Sequence, residues 1–337
     1  MTLDHPLLRT AITAVTHACR VARIIQADSR RGWQLTKDDR SPVTVADFAV
    51  QAIIAMELTD ALGETLIVGE ETADALRLDD HSALLEAVVS AVREYRPQVE
   101  APQVLAAIDT GNHDATAESY WVLDPIDGTK GFLRGQQYAV ALAHLASGRV
   151  DLGVMGCPNL SLDHSRPLDA ADPHGSIYTA VRGGGASETP ADDPSAAPRP
   201  IRRDPTGPAE PIRLCASVEA AHSKHRDVER VVERLGGLIE YARLDSQSKY
   251  ALVARGQADA YLRLPTRKAY VEKIWDQAAG MLIATEAGAV VTDITGAPLD
   301  FSHGPRLEAN RGIVCARADL HGRIIEAIED LGIAAAV

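Results

Sequence analysis

The nonapeptide W-V-L-D-P-I-D-G-T, at residues 121–129, joins an apolar run to a pair of acids. The apolar run that ends at Asp124 is typical of a buried strand. Pro125 fixes one backbone dihedral and Gly128 permits a reversal, so we predict a tight turn there. Such a turn directs both carboxylates and the Ile126 carbonyl toward one point. A strand that ends in an acidic turn indicates an α/β protein, because such folds build their sites at strand ends.

Acids also stand at the ends of two other predicted elements. Glu70 and Glu71 follow the apolar run L-I-V-G, and Asp276 follows K-I-W at a predicted helix start. Oxygen ligands suit Mg²⁺ or Mn²⁺ rather than zinc or copper. Two ions that share a carboxylate can stabilise both the attacking and the leaving oxygen in phosphate ester hydrolysis. The three acidic motifs together therefore predict a metal site.

Each acidic motif also has an ordinary structural explanation. Asp-Gly is a common turn signal, Glu70 and Glu71 fit a solvated loop, and Asp276 ahead of Gln-Ala-Ala fits a helix N-cap. An N-cap role is compatible with metal ligation, since each carboxylate oxygen can take a different partner. Three such motifs in one chain favour a site over coincidence.

Hydrophobic periodicity predicts that helices and strands alternate along the chain. The predicted helices are residues 7–25, Val45–Leu62 and residues 82–95, 224–235, 248–255 and 276–287. The predicted strands are residues 65–68, 119–123, 138–145, 150–155, 177–181, 213–217, 258–264 and 290–292. This alternation favours a layered α/β fold.

Two segments interrupt the alternation. Gly183, Gly184 and Gly185 predict a tight turn rather than a phosphate cradle, because no helix start or Lys-Ser/Thr follows as a P-loop requires. Residues 187–211 contain seven prolines and are predicted to be a loop or mobile linker. Since this segment has few aromatic or aliphatic side chains, we expect it to decorate the protein rather than fold over a substrate.

Composition and charge exclude several classes of function. The 337 residues indicate two domains or one large layered body. The net charge of -13 argues against a polymeric nucleic acid or an anionic membrane as partner, while small phosphorylated ligands stay possible. The four cysteines include no C-x-x-C pair, so we expect reduced, buried thiols. Without a basic n-region or an apolar run of 18 residues, we expect no membrane segment and a cytoplasmic location.

The acidic motifs resemble those of the inositol monophosphatase family, which are Mg²⁺-dependent, lithium-sensitive phosphatases. The resemblance rests on V-G-E-E at residues 68–71, W-V-L-D-P-I-D-G-T at 121–129 and I-W-D-Q-A-A-G at 274–280. Further motifs resemble the 3'(2'),5'-bisphosphate nucleotidase branch. They are S-P-V-T-V-A-D at 41–47, D-G-T-K-G-F-L-R-G at 127–135, L-G-V-M-G-C-P-N-L at 152–160, L-D-S-Q-S-K-Y at 244–250 and Y-L-R-L-P at 261–265.

This resemblance, which runs from about residue 41 to about residue 301, implies an αβαβα sandwich of two domains. We expect an α+β metal-binding phosphatase domain over residues 1–165. We expect an α/β substrate domain over residues 166–337, with the Pro-rich loop at 187–211 inside it. The family resemblance also leads us to expect a monomer.

The resemblance implies a metal site with two or three Mg²⁺ ions. Glu70, Asp124 and the Ile126 carbonyl would hold one ion. Asp124, Asp127 and Asp276 would hold a second, so that Asp124 bridges the two. Mn²⁺ would be a possible substitute and Li⁺ an inhibitor.

The resemblance further implies that Asp47 and Thr129 are the catalytic residues. Their side chains would orient the attacking water and accept its proton, and a third, weaker ion would lie near Asp47 and Glu70. The Thr129 amide follows a glycine and could reach a phosphate oxygen. Alternatively, the Thr129 hydroxyl simply bonds the backbone of its own turn.

The resemblance assigns the rest of the substrate to the second half of the chain. The implied substrate contacts are Thr129, His222, Ser246, Lys249, Arg263 and Asp276. Lys249 opens a predicted helix, where amide groups and an ammonium both favour an anion. His222 fits a surface histidine equally well, and His225 is an alternative.

We therefore expect a phosphatase that hydrolyses the 3'-phosphate of adenosine 3',5'-bisphosphate to give AMP, without a covalent intermediate. The 3'-phosphoadenylyl sulfate of sulfur assimilation is the next expected substrate. One alternative is an inositol polyphosphate 1-phosphatase or a broad sugar or inositol bisphosphatase. Another is a metal- or nucleotide-binding regulatory protein that has lost turnover. The long separation of the acidic motifs, over residues 72–118, favours the nucleotidase and polyphosphate-phosphatase branches.

Overall fold

The computed structural model describes residues 5–28, 34–36, 42–207, 211–218, 225–236, 238–265, 267 and 270–334. His222, one of the predicted substrate contacts, lies outside these residues. Within the described ranges, no helix has the length and apolar character needed to cross a lipid bilayer.

Two large sheets organise the chain. The seven strands of the first are β3 (Ile67–Gly69), β4 (Ser119–Asp127), β5 (Ala139–Ala146), β6 (Arg149–Cys157), β7 (Ser176–Val181), β8 (Gly185–Pro190) and β9 (Arg199–Ile201), paired in chain order. The five of the second are β10 (Ile212–Ala216), β11 (Ile239–Arg243), β12 (Ala260–Arg263), β13 (Val290–Thr292) and β14 (Ile313–Ala316), in the order β11-β10-β12-β14-β13. A separate antiparallel pair consists of β1 (Gln34–Thr36) and β2 (Pro42–Thr44).

The helices lie in three layers around these sheets. They are α1 (Leu8–Asp28), α2 (Val45–Leu62), α3 (Ser82–Arg93), α4 (Ala101–Asp109), α5 (Thr129–Leu133), α6 (His225–Leu235), α7 (Ser248–Ala254), α8 (Ala278–Glu286) and α9 (Ala318–Asp330). α1 and α2 pack on one face of the seven-stranded sheet, and α8 packs on its other face. α9 packs on the five-stranded sheet and against α6.

The alternation of side chains along each strand assigns these layers. In β4, Trp121 and Leu123 join the core around α1 and α2, whereas Tyr120 and Val122 face the core around α7 and α8. In the second sheet, β10 likewise sends Cys215 toward α7 and α8, and Ile212 and Leu214 toward α6 and α9. The order helix, sheet, helix, sheet, helix confirms the predicted αβαβα sandwich.

Most of the predicted elements are present, and the predicted bounds of α2 are those of the structure. α2 begins after Thr44, whose hydroxyl accepts from the Ala46 and Asp47 amides, and it ends before Gly63. The sequence patterns did not predict β1, β2, α4, α5, β8, β9, β11, β14 and α9. Most of these are short elements or lie at sheet edges, where a periodic signal is weak.

The prediction of a loop or linker over residues 187–211 is wrong where β8 and β9 extend the first sheet. Ser187 and Glu188 are buried. The Ser187 hydroxyl lies 2.8 Å from that of Thr179, and Glu188 pairs with Arg199. The segment packs through paired polar groups, so its low aliphatic content does not prevent it from joining the sheet.

The glycine turn before β8 is confirmed as a structural turn. Gly183 has φ +72°, a conformation that glycine adopts readily. The Glu286 carboxylate, at the end of α8, accepts hydrogen bonds from the Gly183 amide (2.8 Å) and the Gly185 amide (3.0 Å). The turn is therefore held by the protein's own carboxylate.

The two large sheets divide the chain between Ile201 and Ile212. A boundary between residues 165 and 166 would separate β7, β8 and β9 from the sheet that they complete. We therefore propose that the boundary between the two domains lies between β9 and β10.

α1 packs directly against the backbone of β6. A Cβ atom added at Gly156 would overlap the Cys19 sulfur and lie 2.9 Å from Val15 Cγ1. Cys19 is buried, and desolvation raises the pKa of its thiol. All four cysteines are free and buried, as predicted.

We expect Gly156→Ala to lower the free energy of unfolding by about 1–3 kcal/mol, because α1 has to shift to admit the methyl group. Gly322→Ala, inside α9, is the matched control, since an added Cβ meets nothing within 4 Å there. We expect the control to raise stability by up to about 1 kcal/mol. Urea unfolding measures both changes. Equal effects of the two substitutions would contradict close packing of α1 on β6.

Candidate active site

The parallel pair β3 and β4 brings Glu70 beside Asp124. Gly69, the last residue of β3, is in register with Leu123, so Glu70 after β3 lies beside Asp124 of β4. The α2 side chain of Gln51 holds this edge. Its amide donates to the Glu71 carbonyl (2.6 Å), and its carbonyl accepts from the Glu71 amide (3.1 Å).

A β-bulge in β4 orients its two acids. Asp124 pairs with Ala141 and Asp127 with Ala139, so β4 contains one more residue than β5 over this interval. Side chains three positions apart point to opposite faces of a regular strand, and the extra residue returns both acids to the same side. The prediction of a tight turn over 124–128 is therefore wrong in form: the acids lie at a bulged strand end, and Gly128 (φ +86°) makes the reversal.

The second sheet turns three of its strand ends toward the same place. β10 is parallel to both β11 and β12, so residues after these strands share one edge. Ser217 follows β10, Leu244 begins the loop after β11, and Arg263 ends β12. In the β11 loop, Asp245 accepts a hydrogen bond from the Val218 amide (3.1 Å) and forms an ion pair with Arg134 of the first half.

A cavity of about 360 Å³ lies between these edges. The predicted site residues that line it are Glu70, Asp124, Ile126, Asp127, Thr129, Ser246, Lys249, Arg263 and Asp276. Other lining residues are Gly128, Lys130, Ser217, Asp245, Gln247, Tyr261 and Tyr270. Segments that are distant in sequence therefore meet in one cavity.

The acids of this cavity oppose one another's ionisation. Desolvation, followed by the charges of Glu70, Asp127 and Asp276, raises the pKa of Asp124 well above its ordinary value. Desolvation also raises the pKa of Asp276 well above its ordinary value. A cation in the cavity would offset both effects.

The oxygen atoms of the cavity fit a metal ion. Asp124 is 2% exposed, and its Oδ1 atom accepts no hydrogen bond from the described residues. A buried carboxylate oxygen without a donor is costly unless a cation takes the donor's place. The surrounding donor set of carboxylates and the Ile126 carbonyl is of the type that hard divalent ions prefer.

Asp276 lies just before α8 but does not cap it. Gln277 occupies the N-cap position, and no side chain caps the helix there. The Oδ2 atom of Asp276 lies 3.4 Å from a terminal nitrogen of Arg263. The N-cap explanation of Asp276 is therefore wrong, and its carboxylate faces the cavity and Arg263.

Lys249 and Arg263 supply positive charge among the acids of the cavity. Lys249 is 5% exposed; desolvation lowers the pKa of its ammonium, while Asp127 and Asp245 act to raise it. The Arg263 Nε donates to Glu272 (2.9 Å). These contacts fix two cations beside the acid cluster.

The Thr129 hydroxyl donates to the Ile126 carbonyl at 3.2 Å. This is the turn contact that we considered as an alternative explanation of Thr129. The carbonyl oxygen has two lone pairs, so this bond leaves it able to bind a cation as well. Ser246, which lines the cavity in a left-handed conformation (φ +74°), donates from its hydroxyl to that of Ser248 (2.9 Å).

Asp47 is not among the described residues that line the cavity. Its Oδ2 atom accepts from the Thr44 amide (2.8 Å) and the Thr44 hydroxyl (2.6 Å), which completes a capping box at the start of α2. Its charge nevertheless contributes to the raised pKa of Asp124. Asp47 therefore lies close to the acids and has a structural role at α2.

Sequence reasoning missed Gln247, which links the two acid-bearing segments. Its backbone amide donates to Asp127 Oδ2 (2.6 Å). Its side-chain nitrogen donates to the Trp275 carbonyl (2.9 Å), and its side-chain oxygen accepts from the Gly280 amide (3.1 Å). Gln247 lies inside the L-D-S-Q-S-K-Y motif, so its position in that motif was the available signal.

Comparison with known proteins agrees with this architecture. The sequence pattern of the inositol monophosphatase family matches residues 2–332. A 3'(2'),5'-bisphosphate nucleotidase of Schizosaccharomyces pombe is 39% identical over 331 residues, which cover 94% of this chain and 93% of that protein. One of Emericella nidulans is 40% identical over 319 residues, with 88% and 90% covered.

A solved structure shows the same fold. The extragenic suppressor protein suhB from Bartonella henselae aligns with a TM-score of 0.64 at 19% identity, over 95% of this chain and 97% of that one. The layered fold and its acid-lined cavity, with these relatives, define a phosphomonoesterase. The chain belongs to the inositol monophosphatase family.

We expect Asp124→Asn to stabilise the metal-free protein at neutral pH by about 1–3 kcal/mol. The folded pKa of Asp124 lies above the unfolded value of 3.8. The stability that its proton supplies is thus present below pH 3.8 and is lost as the pH rises through the folded value. Denaturant unfolding in chelator, across a pH series, should show an advantage of the variant that grows with pH.

Asp109→Asn is the control of opposite sign. Partial burial acts to raise the pKa of Asp109, but Arg77 and the Ala73 amide lower it overall. Its carboxylate therefore supplies stability above the unfolded pKa, and the variant should lose about 0.5–1 kcal/mol at neutral pH. A loss of stability in Asp124→Asn as well would refute the repulsion between the acids.

Proposed function

We propose that the protein hydrolyses the 3'-phosphate of adenosine 3',5'-bisphosphate, and also that of 3'-phosphoadenylyl sulfate. The observation that carries this proposal is that one cavity is lined by both carboxylates and cations. Asp124, Asp127 and Asp276 are the carboxylates, and Lys249 and Arg263 are the cations. The carboxylates suit metal ions and the cations suit an anionic group, so a substrate with two phosphates matches this combination. The relatives named above are bisphosphate nucleotidases, which supports a nucleotide over an inositol or sugar bisphosphate.

The acidic side chains of the cavity would hold two Mg²⁺ ions, with Mn²⁺ as a substitute and Li⁺ as an inhibitor. Glu70, Asp124 and the Ile126 carbonyl would ligate one ion. Asp124, Asp127 and Asp276 would ligate the other. When bound, such ions lower the pKa of water and offset the charge that develops on the phosphoryl oxygens.

Thr129 and Asp47 would orient the attacking water and take up its proton. The Thr129 hydroxyl already points to the Ile126 carbonyl, within the predicted ligand set. Gln247 would keep Asp127 and the segment before α8 at a fixed separation, since it bonds both. These residues would position the attacking water and the acids, and none of them would form a covalent bond to the substrate.

The cationic side chains would bind the rest of the nucleotide. Lys249 would contact the 5'-phosphate, and Arg263 would contact the phosphate or the ribose. Ser246 would donate a hydrogen bond to the nucleotide from the loop after β11. Burial has removed water from the Lys249 ammonium. A phosphate oxygen in the cavity would replace that water with a charge-assisted hydrogen bond. The predicted monomeric state and cytoplasmic location stay predictions.

Phosphate release from four substrates tests the proposal. They are adenosine 3',5'-bisphosphate, inositol 1,4-bisphosphate, inositol 1-phosphate and fructose 1,6-bisphosphate, each with Mg²⁺ and then with added Li⁺. We expect the highest kcat/KM for the nucleotide, inhibition by Li⁺, and no turnover in Asp127→Asn. Release from none of the four would refute the proposed phosphatase chemistry, and a preference for inositol 1,4-bisphosphate would refute only the nucleotide part.

We expect Lys249→Met to lower kcat/KM for adenosine 3',5'-bisphosphate about 10- to 100-fold, the usual size of a lost charged hydrogen bond. The effect on 3'-AMP, which lacks the 5'-phosphate, should be smaller. Comparing the two substrates is necessary because Lys249 also lowers the pKa of Asp127. Lys273→Met is the control, since Lys273 is outside the cavity lining and lies over the Trp275 ring. Equal losses of kcat/KM for both substrates would show instead that Lys249 acts through the acids and not through the 5'-phosphate.

A further inference from the structure

A second group of metal-ligating side chains lies at the opposite end of β4 from Asp124 and Asp127. His5, His144 and Asp151 each offer one ligand atom, and the three atoms lie within 4.8 Å of one another. His5 precedes α1, His144 is on β5 and Asp151 is on β6. The group therefore joins three separate segments of the chain.

Local strand geometry explains why Asp151 reaches His144. The register of β5 and β6 shifts between His144 and Leu145, and Asp151 is the extra residue on β6. Its Oδ1 atom lies 2.8 Å from His144 Nδ1, and its Oδ2 atom lies 3.5 Å from His5 Nε2. One carboxylate thus serves two imidazoles.

An outer hydrogen bond fixes the orientation of His144. The Ser119 hydroxyl lies 2.8 Å from His144 Nε2, and the Trp121 ring packs edge-on at 5.0 Å. Ser119, His144 and Asp151 follow the order of a hydrolytic triad, but here Asp151 is shared with a second imidazole. A ligating histidine whose other nitrogen has a hydrogen-bond partner is the usual arrangement at metal sites.

We propose that His5, His144 and Asp151 bind a divalent transition-metal ion such as Zn²⁺. Two imidazoles and one carboxylate are a donor set that suits such ions, whereas Mg²⁺ prefers oxygen ligands alone. The side chains of His5 and Asp151 are 16% and 28% exposed, which leaves room for water as a further ligand. Together with the Mg²⁺ site proposed above, the protein would have two sites that select different metals.

Binding requires each imidazole to move its proton. On His144 the proton moves from Nδ1 to Nε2, and the Nε2–H group then donates a hydrogen bond to the Ser119 hydroxyl, which can accept as well as donate. On His5 the proton moves from Nε2 to Nδ1, and the hydrogen bond from the Leu7 amide (3.2 Å) is lost. No net proton is released. The contacts of His144 and His5 with Asp151 and the hydrogen bond from the Leu7 amide are exchanged for three metal bonds.

Co²⁺ is the probe, because its visible absorption is intense in four-coordinate sites that contain histidine and weak in six-coordinate oxygen sites. Chelator-stripped protein is titrated with Co²⁺ in a large excess of Mg²⁺. We expect one equivalent with the intense spectrum in the unaltered chain and in Asp127→Asn. His5→Ala and Asp151→Asn should each weaken binding at least 10-fold, and Ser119→Ala about 10-fold.

His174→Ala is the matched control, because His174 also pairs with an aspartate, at 2.7 Å from Asp192. It should bind Co²⁺ as the unaltered chain does, and circular dichroism should show that every variant is folded. The proposal is overturned if the intense spectrum never forms, if both His5→Ala and Asp151→Asn retain it, or if Asp127→Asn removes it.

Discussion

Repulsion among carboxylates in one cavity is the constraint that the rest of the molecule has to balance. Asp124 and Asp276 both have a raised pKa, because burial and neighbouring negative charge oppose their ionisation. No single segment contributes all the acids, since Glu70, Asp124 and Asp127 lie at the edge of the first sheet and Asp276 lies before α8. The large buried cores on both sides of the first sheet supply the stability that permits this arrangement.

Two buried glutamines fix the segments that carry the acids by hydrogen bonds. Gln51, on α2, fixes the backbone next to Glu70, and Gln247 connects Asp127 to the segment that carries Asp276. Both are amides, which donate and accept without adding charge. A charged residue in either position would change the balance among the carboxylates, whereas an apolar one would leave buried backbone groups without partners.

The acidic motifs and the layered fold could be predicted because each depends on a local pattern. Apolar runs that end in acids, together with a resemblance over long motifs, led to Glu70, Asp124, Asp127 and Asp276. The two glutamines and the Ser187 and Glu188 contacts could not be found in this way, because their partners are distant in sequence. The bulge in β4 was missed since Pro125 and Gly128 have the same signature in a turn and in an irregular strand end.

The bulge in β4 determines on which face of the sheet Asp127 lies relative to Asp124. Each added or removed residue between Asp124 and Asp127 reverses the face on which the second acid lies, so the interval tolerates substitution far better than a change of length. In the described strand pairs further from the cavity, a side chain can be substituted without a change in the register of the strands. Between Asp124 and Asp127, the number of residues therefore matters as much as their identity.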